Sequence, residues 1–233
     1  MIKFLSILIP LYNEEKTILS VLKKIESINL INNIKKEIII INDCSTDSSK
    51  DIVSNYIKKK NITFITQNQN TGKGGAIHTG IKYAKGEYTI IQDADLELNP
   101  EDINLLLQAI YTDKVDIVYG SRFLKNKKHP KEMLANRIAN KFLTKLSNYI
   151  LKIKLTDMQT CYKLIPTHIL KSINLCEKRF AFDPEITAKL AKKRELIWKE
   201  VAISYEPRTT KEGKKIRWTD GFRQIYSILK YGL

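Results

Sequence analysis

The sequence predicts an α/β fold, with a mostly parallel β-sheet covered by helices on both faces, in one domain spanning residues 1–233. Three observations lead there. Five runs are continuously apolar rather than alternating, as strands buried on both faces require: Phe4–Leu11, Glu37–Ile41, Ile62–Thr66, Tyr88–Gln92 and Val115–Tyr119. Helical patterns separate the runs, at Glu15–Ile28, Ser48–Lys58 and Gly75–Ala84. Polar and acidic residues gather directly after the runs, where an open parallel sheet collects its ligands.

The first run begins almost at the N-terminus, as a signal peptide would. Ser6 and Pro10 interrupt it, however, and it ends in Asn13-Glu14-Glu15 with no small-residue cleavage site, so it reads as a buried strand. No run approaches the roughly 18–20 apolar residues of a membrane span. Pro10-Leu-Tyr12-Asn13-Glu14 follows this strand. After the second comes Asn42-Asp43-Cys44-Ser45-Thr46-Asp47, where Asp43 is suited to accept from a nucleobase N–H and Asp47 to cap the next helix.

Past the third strand lies Asn70-Thr-Gly72-Lys73-Gly74-Gly75-Ala76. It matches neither a Walker loop nor G-x-G-x-x-G, but it places backbone N–H groups and Lys73 at a helix N-terminus, a seat for phosphates or ribose. The fourth strand runs into Asp93-Ala-Asp95-Leu-Glu97 and then Asn99-Pro100-Glu101-Asp102, an N-cap with proline at the first helical position. Closely spaced carboxylates are hard ligands suited to Mg²⁺ or Mn²⁺ carrying a diphosphate, and a plain polar turn is the competing reading. An EF-hand is excluded, because Leu98 and Asn104 stand where that loop needs Gly and Glu.

Charge divides the chain. Residues 1–120 carry 14 Lys/Arg and 15 Asp/Glu, a balance of −1, whereas residues 121–233 carry 26 and 10, a balance of +16. Such asymmetry points to a polyanionic partner: nucleic acid, an anionic membrane or phosphorylated substrates. Three cysteines without C-x-x-C spacing fit a reduced setting and argue against structural zinc. His78, His129 and His168 have no partner spacing and read as structural. Along Asp220–Tyr231, Phe222, Ile225, Tyr226 and Leu229 share one helical face, with Ile228 at its margin, and this face either packs on the domain or lies in a membrane interface.

P-x-Y-N-E, the strand-two Asp, N-x-G-K-G-x-A and D-A-D-L-E, in that order at successive strand ends, resemble the nucleotide-sugar-binding half of the inverting family 2 glycosyltransferases of the GT-A fold. The resemblance implies that Pro10, Tyr12, Glu14 and Asp43 grip the nucleoside and Lys73 the ribose and phosphates. It places the metal on Asp93 and Asp95, with Glu97 as a third acid. Val118-Tyr-Gly-Ser121-Arg122-Phe123, Asn136-Arg137, Thr156-Asp157-Met-Gln159-Thr160-Cys161-Tyr162-Lys163, Phe182-Asp-Pro-Glu185 and Arg208-Thr-Thr-Lys-Glu-Gly213-Lys214-Lys215 resemble the polyprenyl-phosphate sugar synthases, the dolichyl-phosphate mannose synthases among them. By that resemblance Asp157 and Gln159 line the sugar and acceptor pocket. Arg122, Arg137 and Arg208 hold phosphates, and the loop around Gly213-Lys214 closes over the site.

The implied reaction is metal-dependent single inversion from a GDP- or UDP-linked sugar onto a polyprenyl phosphate. It would take place at the cytoplasmic face of a membrane, with residues 121–233 as a basic acceptor half. Glu97 stands where the mannose synthases often have Gln, which leaves the donor open. Many relatives carry membrane spans beyond this point, which leaves room for a membrane partner subunit. The rival enzyme reading, transfer to a saccharide hydroxyl, needs a base such as Asp157 or Glu185. The Q-x-x-R-W of processive relatives is absent, with only Gln224 matching. A nucleic-acid partner is not expected, since charge alone suggests one and no recognised module accompanies it.

Overall fold

The first apolar run is β1, Phe4–Leu11, and it lies inside the sheet with Leu5, Ile7, Leu8, Ile9 and Leu11 fully buried. The computed structural model describes residues 2–124, 134–208 and 218–233. β1 pairs in parallel with β2 (Lys35–Asn42) on one side and β4 (Tyr88–Ile91) on the other, and β3 (Thr63–Thr66) extends the sheet beyond β2. The helices between them are α1 (Ile18–Ser27), α2 (Ser49–Tyr56) and α3 (Gly72–Tyr83). α1 shows why it forms: Ile18, Val21, Leu22 and Ile25 fall on one stripe and are all buried.

A short 3₁₀ turn at Pro100–Asp102 opens α4 (Ile103–Asp113), with the Asn99 side chain accepting from Glu101 N at 3.3 Å, the start that the sequence announced. β5 is Ile117–Ser121, two residues later than expected, and it does not neighbour β4. β6 (Lys163–Pro166) lies between them, antiparallel to both, and β7 (Trp198–Ala202) adds in parallel outside β5. Among the described residues the sheet order is β3-β2-β1-β4-β6-β5-β7, and four of its six pairings are parallel, so the mostly parallel class holds.

The second half contributes α5 (Leu134–Leu151), α6 (Thr167–Ser172), α7 (Phe182–Ala191) and α8 (Trp218–Gly232). α5, α7 and α8 pack on one another. A continuous apolar cluster runs from Leu5 in β1 to Ile228 in α8. Two boundaries moved for local reasons. α1 starts at Ile18 because Glu14 first closes a turn, its carbonyl accepting from Thr17 N and Ile18 N. α3 starts at Gly72, whose φ of +81° only glycine adopts without strain.

Candidate active site at the carboxyl ends of the strands

The sheet hydrogen bonding runs past the strand tips and lines their loops up. Asp43 N donates to Leu11 O at 2.8 Å, Gln67 N to Asn42 O at 2.9 Å and Gln92 N to Leu8 O at 2.9 Å. The loops after β1, β2, β3 and β4 therefore share one rim. Because β6 is antiparallel, the segment 156–162 that feeds it arrives at this same rim, and β5 ends there at Ser121.

Arg208 is the hub. Leu98 and Tyr205 form an antiparallel bridge, Glu206 N donates to Glu97 O at 2.9 Å, and this pairing carries Arg208 over the acidic loop. Its Nη2 donates to Asp95 Oδ2 at 2.5 Å and its Nη1 to Glu14 Oε2 and Oε1 at 3.0 and 3.2 Å. Its Nε and backbone N both reach Glu97 Oε1, at 3.4 and 3.1 Å. Next to it Lys73 Nζ meets Asp93 Oδ1 at 2.6 Å. Four carboxylates thus face two cations. Burial alone would raise Asp93, but Lys73 holds it below its ordinary value; burial opposes the charge on Lys73, yet Asp93 holds it well above. Asp95 lacks such relief: burial, then Asp93 and Glu97, push it up to about 7 against the pull of Arg208.

A second ion pair walls the cavity. Arg122 grips the fully buried Asp157 bidentately, Nε to Oδ2 at 2.7 Å and Nη2 to Oδ1 at 2.8 Å, and its backbone N adds a third bond at 3.1 Å. Glu200 fixes that segment by accepting from Thr156 N and Asp157 N at 2.7 and 3.0 Å. Between the two ion clusters lies a cavity of about 260 Å³ whose lining includes Lys73, Asp93, Glu97, Arg122, Gln159 and Gln224. Gln159 Oε1 accepts from Gln224 Nε2 at 3.1 Å, while Gln159 Nε2 is buried without a protein partner. An unsatisfied amide N–H beside this cavity suits a ligand hydroxyl.

Several expected residues occupy other roles. Both oxygens of Asp43 are engaged: Oδ1 accepts from Thr71 N (2.7 Å), Thr71 Oγ1 (3.0 Å) and Gln67 Nε2 (2.6 Å), and Oδ2 from Gly72 N (2.7 Å). Its carboxylate caps α3 rather than standing open to a base. Burial pushes its pKa up against these bonds. The same bonds, with Gly75 N donating to Lys178 O at 2.8 Å, occupy the Thr71, Gly72 and Gly75 N–H groups of the expected phosphate seat.

Asp47 stands one residue before Ser48, the N-cap of α2, and its Oδ1 accepts from Ser49 N at 2.9 Å, while Asp183 and Pro184 sit inside the first turn of α7, behind Ala181 at the N-cap. Glu185 accepts from Cys176 N and Glu177 N at 2.7 Å each and pairs with Lys189 at 2.6 Å, a fixed loop anchor. Pro10 pairs in register with Ile41, and Tyr12 follows β1 on the rim, half-buried. Arg137 lies on α5, its guanidinium 5.7 Å from the centroid of the Phe123 ring, which the Arg122 guanidinium also approaches at 5.4 Å. Gly213 and Lys214 fall outside the described residues.

Asp93, Asp95 and Glu97 fit a divalent cation by donor type and by charge, since the cluster carries two more carboxylates than cations. They are not gathered as a finished ligand set: among the described residues no three His, Cys, Asp or Glu side chains converge as metal ligands. The sequence reading also missed a buried pair whose Asp183 lines the cavity. Lys163, 1% exposed, donates to Asp183 at 2.5 Å and to Thr160 O. A lysine opening the apolar run Lys-Leu-Ile-Pro was the one available signal.

The Glycosyl transferase family 2 model matches residues 6–173. A dolichyl-phosphate beta-glucosyltransferase of Dictyostelium discoideum is 32% identical over 236 residues, covering 91% of this chain and 68% of the relative. An undecaprenyl-phosphate 4-deoxy-4-formamido-L-arabinose transferase of Aeromonas hydrophila is 26% identical, covering 82% of this chain and 58% of its own length. In structure the chain is similar to glucosyl-3-phosphoglycerate synthase from Mycobacterium tuberculosis in complex with uridine-diphosphate, with a TM-score of 0.73 over 99% of this chain and 80% of that one at 16% identity. That likeness carries the GT-A fold. The same synthase has also been crystallised with Mn²⁺ and uridine-diphosphate.

Proposed function

Because the chain belongs to glycosyl transferase family 2 and is therefore a glycosyltransferase, we propose that it moves a sugar, with inversion, from a GDP- or UDP-linked donor to a polyprenyl phosphate. Asp93 and Asp95, with Glu97 beside them, would hold Mg²⁺ or Mn²⁺. When bound, the ion supplies positive charge to the departing diphosphate, an effect worth several kcal/mol of barrier. Lys73 contributes a fixed cation on the same side. Gln159 and Gln224 line the space available to the sugar.

The acceptor class rests on one observation: the carboxylates that a hydroxyl acceptor would use as base are committed. Asp157 is locked to Arg122 and Glu185 to two backbone N–H groups and Lys189. A phosphate oxygen is already anionic at neutral pH and needs no such base, which favours it over a saccharide hydroxyl. The names of the Dictyostelium and Aeromonas relatives support the same acceptor chemistry.

A lipid acceptor also gives meaning to the surface of α5 and α8. Phe222, Tyr226 and Leu229 on α8 and Ile138, Phe142 and Tyr149 on α5 are exposed. Lys141, Lys145, Arg223 and Lys230 lie exposed among them, and α5 contains no acidic residue. Among the described residues no helix is long and apolar enough to cross a membrane. We infer peripheral attachment to an anionic, cytoplasmic membrane face.

The test is a transfer assay with the purified chain, a panel of GDP- and UDP-sugars, and a polyprenyl phosphate beside the matching polyprenol. Product should form on the phosphate alone, and EDTA should silence the reaction. Turnover on a saccharide, with the lipid phosphate inert toward every donor, would overturn the acceptor; full activity in EDTA would overturn the metal.

A further inference from the structure

A divalent cation and the Arg208 guanidinium have use for the same oxygens. Asp95 has two, and both are committed: Oδ1 accepts from Glu97 N at 3.0 Å, closing the loop, and Oδ2 accepts from Arg208 Nη2 at 2.5 Å. Releasing Oδ1 would undo the turn that presents the acids. Releasing Oδ2 costs only a side-chain movement. Glu14 and Glu97 hold the other guanidinium nitrogens, so one planar fork bridges three acids from two strand-end loops. The Arg208 backbone stays tied to Glu97 Oε1 through its own N–H, which leaves the side chain free to turn while its root is fixed.

We propose that Arg208 is the internal counter-ion of the acidic loop: its guanidinium takes the place at Asp95 that a divalent cation takes during catalysis, so the two exclude one another there. This deepens the metal-dependent reading above and rests on it. Without a cation, the fork holds Glu14, Asp95 and Glu97 together against their mutual repulsion. When a cation arrives with the donor diphosphate, Asp95 Oδ2 passes to it and the guanidinium is displaced. A displaced guanidinium beside the cavity is suited to an acceptor phosphate. Donor and metal therefore precede the acceptor, because until then the fork is occupied and the rim is acidic.

The experiment titrates Mn²⁺ alone into the purified chain and follows free Mn²⁺ by electron paramagnetic resonance, with no turnover involved. Arg208→Gln should bind Mn²⁺ about tenfold more tightly than wild type, the low end for uncoupling a close charge pair. Arg208→Lys keeps the charge but has no fork to bridge three acids, so it too should bind more tightly than wild type. Asp95→Asn should lose Mn²⁺ binding, and circular dichroism melts report that each variant is folded. Unchanged affinity in Arg208→Gln would overturn the exclusion. A gain in Arg208→Gln with Arg208→Lys equal to wild type would overturn it too, reducing the effect to net charge. Failure of every chain to bind Mn²⁺, with or without UDP or GDP, would instead remove the metal reading, and this inference with it.

Discussion

Asp157 and Arg122 show how one side chain's duties follow from its partners. The carboxylate is fully buried, and every bond it makes to Arg122 is charge-assisted. Burial opposes the charge on Arg122, yet Asp157 holds the guanidinium well above its ordinary value. Such a pair does not release a proton acceptor cheaply. Asp157→Asn should strand the guanidinium and lower stability by about 3–5 kcal/mol, the cost of breaking a buried pair from one side. Urea unfolding checks this. Wild-type stability with a rate loss of about 10²–10⁴ would make Asp157 a general base instead and revive the hydroxyl acceptor. The sequence marked Asp157 as a pocket residue by resemblance, but nothing local announced its partner 35 positions upstream.

At the scale of elements, α8 splits its apolar pattern between core and surface. The periodicity placed Phe222, Ile225, Tyr226 and Leu229 on one face, and the usual outcome is to bury that face. The structure buries Ile228 and packs Ile225 partly against the core, and it buries Asp220, Gln224 and Ser227 beside them: Gln224 reaches Gln159 and Phe180 O, and Ser227 Oγ reaches Ala181 O. Phe222 is left 67% exposed and Tyr226 57%. α3 shows the other limit of pattern reading. Its glycines were read as a phosphate seat, yet a Cβ on Gly74 would lie 2.4 Å from Glu177 O and 2.8 Å from Phe182 Cβ, so the helix needs Gly to approach that segment. A Cβ on Gly221 in α8 meets nothing within 4 Å. Gly74→Ala should therefore destabilise by about 1–3 kcal/mol through overpacking. Gly221→Ala should stabilise by roughly 0.5–1 kcal/mol through helix propensity. Chemical denaturation that gave both the same sign would contradict this packing.

For the whole molecule, the excess charge and the outward apolar faces belong to the same half of the chain. Residues 121–233 hold the +16 balance, and α5 and α8 supply exposed apolar and basic side chains together. The protein should sediment with anionic vesicles at low salt and release near about 0.5 M, where screening shortens to a few Å. Phe222→Ser with Tyr226→Ser should weaken binding further without touching the charge. Equal binding to neutral vesicles would show that charge is not the attractor.

The sequence by itself determined the sheet's first half, its strand-tip loops and the acids at 93–97. Those signals are local: continuous burial writes a strand into four to eight neighbouring residues, and Asn99-Pro100 writes a helix start into two. Tertiary structure alone decided which charges meet. Arg208 lies 113 residues from Asp95 and 194 from Glu14, and it reaches both because the Leu98–Tyr205 bridge sets its register. Asp43 was legible as a strand-tip acid, but whether it would face a ligand or cap α3 depended on the path of the Gln67–Gly72 loop. Period and spacing specify what a residue's own element is; they carry no information on which distant element will satisfy a buried charge, and that is settled when the chain closes and water is excluded.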